Sequence, residues 1–170
     1  RMTAFFLYFC SKKMSLYTEN KRFKGISQLH NMPATGEYEY CSFIQCDFSR
    51  ANLSDYSFID CTFIDCNFSL TPLHNTLFRD VVFINCKMLG LHFYNCKAFG
   101  LSFLFESCIL NHSSFHKTKC KKTIFNTCSL HEVDFSDCDI SESQFRDCDL
   151  QNASFENTNI EKADLIQVLA

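Results

Sequence analysis

The stretch CSFIQCDFSRANLSDYSFIDCTFIDCNF, residues Cys41–Phe68, nearly repeats every five residues. Divided into fives it gives CSFIQ, CDFSR, ANLSD, YSFID, CTFID and CNF, with a bulky residue in the third place. A period of five fits neither an α-helix at 3.6 residues per turn nor a flat strand at 2. It is typical of a coil with an inward-facing pair and a bend in every five residues. Such a coil cannot bury its own inner face, so it must stack on copies of itself.

The repeat extends over most of the chain. We call the bulky residue the centre, and centres recur every five residues from Phe43 to Phe103 and again, after a gap of seven, from Leu110 to Leu165. The place two residues before each centre usually holds a smaller side chain, and ten of the twelve cysteines lie there. The composition of 20 Phe, no Trp and only 4 Gly is unusual for a chain that must turn so often.

Residues 51–55 (ANLSD) and 163–165 (ADL) match the pattern A-(D/N)-L-X-X, so the sequence resembles the pentapeptide-repeat family over about Cys41–Leu165. The resemblance implies an all-β fold, a right-handed quadrilateral β-helix with four pentapeptides per coil. We therefore expect a leader or capping segment at residues 1–36, a β-helix of about six coils at 37–166, and a C-terminal remnant at 167–170.

Four faces per coil predict that side chains recur in columns at steps of 20 residues. The columns stay in register across the gap only if two extra residues bulge out near 104–107. The predicted core columns are then Cys46, Cys66, Cys86, Cys108, Cys128 and Cys148, and Phe43, Phe63, Phe83, Phe103, Phe125 and Phe145.

We interpret the cysteines as small buried hydrophobes, a role that free cysteine fills well. Neighbours in a column would lie about 4.8 Å apart with parallel Cα–Cβ bonds, whereas a disulfide needs Cβ atoms about 3.8 Å apart and a twisted dihedral. A zinc site typically uses C-x₂-C pairs, and the chain has none. No metal or other cofactor is expected.

One candidate interface is an apolar row that follows the Phe column on an outer face. Exposed stripes of this kind mark interaction sites, unless another part of the chain covers them. The alternatives are a cover formed by residues 1–36, or a surface for a homodimer or a partner protein. The candidate residues are Ile44, Ile64, Ile84, Leu104 and Phe105.

A second candidate is the acidic C-terminal third, where ten acidic residues from Glu132 to Asp164 face only Arg146 and Lys162, for a net charge of −8. These carboxylates either keep the surface solvated or mimic the charge of duplex DNA. The candidate residues are Asp134, Asp137, Asp139, Asp147, Asp149 and Asp164. The basic stretch HKTKCKK, residues 116–122, either balances this charge or binds phosphate or an acidic partner.

The sequence predicts a non-enzymatic protein, since it has no phosphate loop, nucleophile elbow or H-E-x-x-H motif. The family resemblance implies a protein-interaction scaffold, and its Qnr-type and gyrase-binding members act as DNA mimics on DNA gyrase or topoisomerase IV. Qnr-type members carry longer loops than the two-residue insertion here. The alternative is an adaptor or immunity-type protein that binds another partner through the apolar row.

Composition also limits the classes of partner and the cellular compartments that we expect for the protein. The overall charge of −3 argues against direct binding of nucleic acid. No apolar run reaches the length of a membrane span, and many free thiols favour a reducing compartment. We therefore expect a cytoplasmic protein.

Overall fold

The structure is a computed structural model that describes residues 16–27 and 31–169. It is built from short parallel strands, with a 3₁₀ turn at Phe93–Asn95. The strands are β1 (Leu16–Glu19), β2 (Arg22–Lys24), β3 (Gly36–Glu39), β4 (Ser42–Ile44), β5 (Ser57–Ile59), β6 (Thr62–Ile64), β7 (Leu77–Arg79), β8 (Val81–Ile84), β9 (Phe103–Glu106), β10 (Ile124–Asn126), β11 (Gln144–Arg146) and β12 (Asp164–Ile166).

The strands stack in a solenoid with a 20-residue step. Phe43 pairs with Phe63, and Phe63 with Phe83, in an eight-stranded parallel sheet. A second sheet contains β1, β3, β5 and β7, and parallel bridges such as Asp47 to Asn67 and Ser114 to Asp134 hold two further faces. The result is an all-β solenoid of about seven turns, which confirms the predicted fold class.

The corners explain how the chain turns with so few glycines. The residue two positions after nearly every centre adopts a left-handed conformation, as at Gln45 (φ 53°), Asp65 (φ 55°) and Asn85 (φ 52°). This conformation costs an L-residue about 1–2 kcal/mol, and Asn and Asp tolerate it best. Hydrogen bonds tie corners to the next coil, and the N–H of Gln45 donates to the Ile64 carbonyl at 2.9 Å. Asn85 also donates from its side chain to the Asp65 carboxylate at 2.6 Å.

The interior is a stack of phenylalanine rings. Phe63 is fully buried and lies nearly parallel to Phe43 and Phe83, with ring centroids 4.7 Å and 5.1 Å away. Rings on adjacent faces meet edge to face, as Phe63 does with Phe68 at 5.1 Å. Both geometries are favourable for aromatic pairs, so each ring is stabilised by its neighbours along and across the rod.

The two-residue insertion lies earlier than the sequence predicted. Strand pairing places Phe105 beside Phe83 and Leu104 beside Val82. The extra residues therefore do not bulge out at 104–107, which continues the eight-stranded sheet.

Hydrogen bonds locate the insertion at residues 98–101. The coil is still regular at Lys97, whose N–H donates to the carbonyl of Thr76, 21 residues back. The register has shifted at Ser102, whose N–H donates to the carbonyl of Phe78, 24 residues back.

Phe103 is buried, but its predicted place in the Phe column is wrong. It aligns with Val81, in the place two residues before the centre, and Phe105 is the member of the column. Counting by fives forward from Phe93 reaches Phe103, whereas counting back from Leu110 reaches Phe105. Both positions hold phenylalanine, so residue type could not distinguish the two registers.

The solenoid also extends beyond both predicted boundaries. β1 pairs with β3 and β2 pairs with β4, so residues 16–24 form part of a further coil instead of a separate capping segment. At the other end Leu169 bridges to Asp149, which continues a face of the solenoid past residue 166. Residues 1–15 and 28–30 of the predicted leader or capping segment 1–36 lie outside the described residues.

Candidate functional surfaces

The six cysteines of the predicted column lie in one buried column of the structure. Each thiol is near a main-chain carbonyl of the coil below: Cys66 Sγ is 3.4 Å from the Phe43 oxygen, and Cys86 Sγ is 3.5 Å from the Phe63 oxygen. Thr71 occupies the equivalent place on another face and donates to the Phe48 carbonyl at 2.7 Å. The column is therefore a packing element that also satisfies backbone carbonyls.

Cys61 and Cys96 are poor nucleophiles. Burial raises the pKa of the Cys61 thiol to about 12, and burial also raises the pKa of Cys96. The thiolate is the reactive form, so a raised pKa suppresses reaction. All eleven cysteines in the described part of the chain are free and buried.

The predicted apolar row is present in part. Ile44, Ile64 and Ile84 align through strand pairing on the outer face of the eight-stranded sheet, and each is half-buried. The next residue in their row is Glu106, not Leu104, which aligns with Val82.

The prediction of Phe105 as an interface residue is wrong, because its ring is fully buried in the Phe column. We name the apolar patch of this sheet the outer apolar surface. It comprises the half-buried residues Ile44, Ile64, Val82, Ile84, Leu104 and Ile124.

The predicted acidic residues divide into two structural types. Asp134, Asp139 and Asp149 precede a centre, and each accepts a hydrogen bond from the main-chain N–H two residues later, at 2.9, 3.2 and 3.1 Å respectively. Asp137 and Asp147 are corner residues with positive φ, and their side chains are exposed.

The sixth candidate, Asp164, begins β12 and is exposed. The acids therefore lie on different faces of the rod. Asp134 is in the row of Ser114, Asp139 in that of Lys119, and Asp149 in that of Ser129.

Local contacts hold part of this acidic set in the ionised form. Burial alone would raise the pKa of Asp139, but bonds from Ser141 and from Lys121 at 3.2 Å lower it overall. A contact with the His131 ring lowers the pKa of Asp149.

The basic stretch and the acidic third form ion pairs between successive coils. Lys121 contacts Asp139 at 3.2 Å, and Lys122 contacts Glu142 at 3.6 Å. The sequence indicated this balance of charge only in general terms. The 18- and 20-residue separations of these pairs, close to one coil, are the signal that could have identified the partners.

The structure also shows a pocket that sequence reasoning missed. It lies beside the insertion, has a volume of about 130 Å³, and is lined by residues that include Tyr94, Phe99, Leu101, Lys117 and Lys119. The available signals were Ala98 in place of a bulky centre and the glycine at position 100, but neither indicates a cavity by itself.

No metal-binding or membrane-spanning feature is found in residues 16–27 and 31–169. The search of these residues found no group of three or more His, Cys, Asp and Glu side chains that could hold a metal. Within the same residues, no helix has the length and apolar character that crossing a membrane requires.

A solenoid of five-residue units with stacked Phe centres and left-handed corners defines a repeat protein of the pentapeptide type. The sequence profile of the family described as "Pentapeptide repeat region" matches residues 37–104 and 101–165. The chain belongs to this family. A comparison with curated protein sequences found no significant match.

A solved structure with a TM-score above 0.5 shows the same fold at low sequence identity. A trypsin-treated variant of QnrB1, described as a plasmid-mediated fluoroquinolone resistance protein, is 17% identical with a TM-score of 0.57, covering 91% of this chain and 84% of that one. HetL from Nostoc sp. strain PCC 7120, described as involved in regulating heterocyst differentiation, is 12% identical with a TM-score of 0.37, covering 91% and 83%. Identities this low show likeness of fold alone.

Proposed function

We propose that this protein is a non-enzymatic scaffold whose acidic C-terminal region binds a partner protein as a DNA mimic, with DNA gyrase or topoisomerase IV as the candidate partner. One observation carries the proposal. Residues Glu132–Asp164 have a net charge of −8, while the whole chain has −3, so the rest of the chain has +5.

The charge density supports this reading. Residues 132–164 span less than two coils at 20 residues per coil, which corresponds to a rise of about 8 Å at 4.8 Å per strand. The net charge per ångström of rod axis therefore at least matches duplex DNA, which carries one charge per about 1.7 Å. A basic groove that recognises phosphates would attract such a surface.

Within this region, the carboxylates that form no ion pair with the described residues are the ones available to a partner. Asp147 and Asp164 are exposed, and neither has an ion pair among the described residues. The likeness to QnrB1 is one of fold alone, and the description of that protein as a fluoroquinolone resistance protein makes gyrase the first partner to test.

The test is supercoiling of relaxed plasmid by DNA gyrase with increasing amounts of the protein, with and without ciprofloxacin. We expect inhibition or protection at micromolar concentration, weakened in Asp147→Asn/Asp164→Asn. The matched control is Asp60→Asn/Asp80→Asn, which removes two exposed corner charges from the other half of the rod. Absence of both effects would contradict the assignment of gyrase as the partner.

The outer apolar surface supports a second candidate function, an adaptor that binds a non-topoisomerase partner or a second copy of this chain. Lysines at Ile64 and Ile84 would place two charges in the middle of this surface. We expect Ile64→Lys/Ile84→Lys to lower the mass measured by light scattering if the surface joins two copies.

The matched control for that test is Ser54→Lys/His74→Lys, at the equivalent repeat position on another face. If the Ile64→Lys/Ile84→Lys variant keeps both the oligomeric state and the stability of the parent, the outer apolar surface does not join two copies of this chain.

A further inference from the structure

The insertion is the point where a hydrophobic side chain is most exposed. Phe99 lies at the tip of the bulge at residues 98–101 and is 89% exposed, the highest value among the large hydrophobic residues described. Gly100, with φ 81°, allows the chain to turn back towards the coil in a region that L side chains rarely adopt. Leu101 then returns to the interior at 7% exposure.

The bulge forms one wall of an apolar pocket against the next coil. Cys96 and Leu101 line its inner part, Tyr94 and Phe99 lie at its edge, and its volume is about 130 Å³. An apolar cavity of about 150 Å³ accommodates a benzene molecule. The pocket therefore fits one aromatic ring or one branched aliphatic side chain.

The opposite wall carries two lysines, Lys117 and Lys119, that form no ion pair with the described residues. In the same stretch, Lys121 and Lys122 are paired with acids of the next coil at 3.2 and 3.6 Å. The unpaired lysines therefore lie where the pocket is, and they favour an anionic occupant.

We propose that this pocket docks an acidic segment of a partner protein, with one aromatic or branched aliphatic side chain in the cavity and flanking carboxylates on Lys117 and Lys119. A single ring fills the cavity but leaves most of Phe99 uncovered. A polypeptide segment can also pack over Phe99 and Tyr94, which is why a protein partner fits better than a small molecule. The site is separate from the acidic surface and does not depend on the topoisomerase assignment.

The experiment is fluorescence polarisation with fluorescein-labelled DEFDE peptide, compared with DEADE and KRFRK. We expect DEFDE to bind, with about tenfold weaker binding of DEADE because the Phe side chain is lost. KRFRK should bind at least about fivefold more weakly than DEFDE, since its charges oppose the lysines. Phe99→Ala should weaken DEFDE binding severalfold.

The decisive variants differ only in which lysines they neutralise. Lys117→Gln/Lys119→Gln should weaken DEFDE binding about fivefold. The control, Lys121→Gln/Lys122→Gln, removes the same charge from the same stretch. Each pair also includes one corner lysine, which is Lys117 in the first pair and Lys122 in the second. This control should stay within about twofold of the parent. Neither pair should alter the gyrase assay, so failure here is distinguishable from failure of the topoisomerase proposal.

Four results would overturn the proposal. They are no binding of DEFDE up to about 1 mM, equal losses in the two lysine variants, equal binding of KRFRK, or phenylacetate binding as tightly as DEFDE with the same dependence on Lys117 and Lys119. The last result would indicate a small-molecule site. Thermal unfolding of each variant confirms that the binding data come from folded protein.

Discussion

The regular coils around Phe63 and the coil that carries the insertion solve one packing problem in two ways. In the regular coils a Phe centre and a Cys two residues earlier both point inward, as Phe63 and Cys61 do. In the other coil Ala98 falls at the centre by counting but is exposed, and Phe103 is buried in a place usually held by a small residue. The interior must be filled at every level, and the repeat position that fills it can change.

The same comparison shows what an irregular coil makes available. A regular coil presents three outward residues per repeat, and its levels stack closely. The insertion moves Phe99 outside the coil and opens a pocket beside it. A local departure from the repeat thus produces an apolar pocket without interrupting the stack.

The largest expected effect comes from removing a ring in a regular coil. Phe63→Ala deletes a fully buried side chain that contacts rings above, below and beside it. We expect a loss of about 3–5 kcal/mol in the free energy of unfolding, measured by urea denaturation. Phe99→Ala is the control and should change stability little, since its ring is 89% exposed. A loss below about 1 kcal/mol for Phe63→Ala would contradict the stacked core.

A second prediction converts the irregular coil into a regular one. Deletion of Phe99 and Gly100 restores five-residue spacing, but it leaves Ala98 at a centre and Phe103 in a place for a small residue. We expect the free energy of unfolding to fall by about 2 kcal/mol, because Ala98 leaves a void at the centre and Phe103 is crowded in a place for a small residue.

Adding Ala98→Phe and Phe103→Cys to the deletion should recover most of that stability in the same urea measurement. If the deletion alone leaves the free energy of unfolding unchanged, or if the added substitutions lower it further, the insertion does not lie at residues 98–101.

The cysteine column gives a smaller effect. Cys66→Ala removes a buried thiol and should cost about 1 kcal/mol. Cys66→Thr should cost less than Cys66→Ala, because a threonine hydroxyl in the equivalent place, Thr71, donates to a carbonyl of the coil below at 2.7 Å. Thermal unfolding of the two variants tests the order, and a reversed order would show that the carbonyl contact contributes nothing.

The smallest effect is a pH dependence in the acidic third. The folded pKa of Asp139 lies below the ordinary value of 3.8, so its ionised form stabilises the fold above that pH. This contribution is lost as pH falls below 3.8 through the folded pKa. Urea midpoints between about pH 5 and pH 2 should therefore decline less steeply for Asp139→Asn than for the parent. The exposed corner variant Asp60→Asn should follow the parent, and identical slopes for all three would contradict the prediction.

The sequence was sufficient for the fold because the five-residue period is repeated in almost every coil. Side-chain size at the inward places is dictated by packing, so the Cys column could be assigned from spacing alone. The insertion could not be placed, because Phe103 and Phe105 both satisfy the pattern and the choice depends on whether Ala98 or Phe103 fills the interior at that level. The first coil was missed because its inward places hold few of the expected residues.

The candidate surfaces were less predictable. The positions of Ile44, Ile64 and Ile84 on one row follow from the 20-residue step. The pocket depends on the path of the chain at 98–101, and the ion pairs depend on side-chain reach between coils. Neither property is recorded in a repeat pattern.

The most direct test is the solvent exposure of single rings around the insertion. The fluorine of 4-fluorophenylalanine, placed singly at positions 99, 103 and 105, reports contact with the soluble radical TEMPOL through line broadening in ¹⁹F NMR. We predict strong broadening at position 99 and protection at positions 103 and 105. Strong broadening at position 105 would place the insertion at 104–107 and contradict both the register and the pocket beside Phe99.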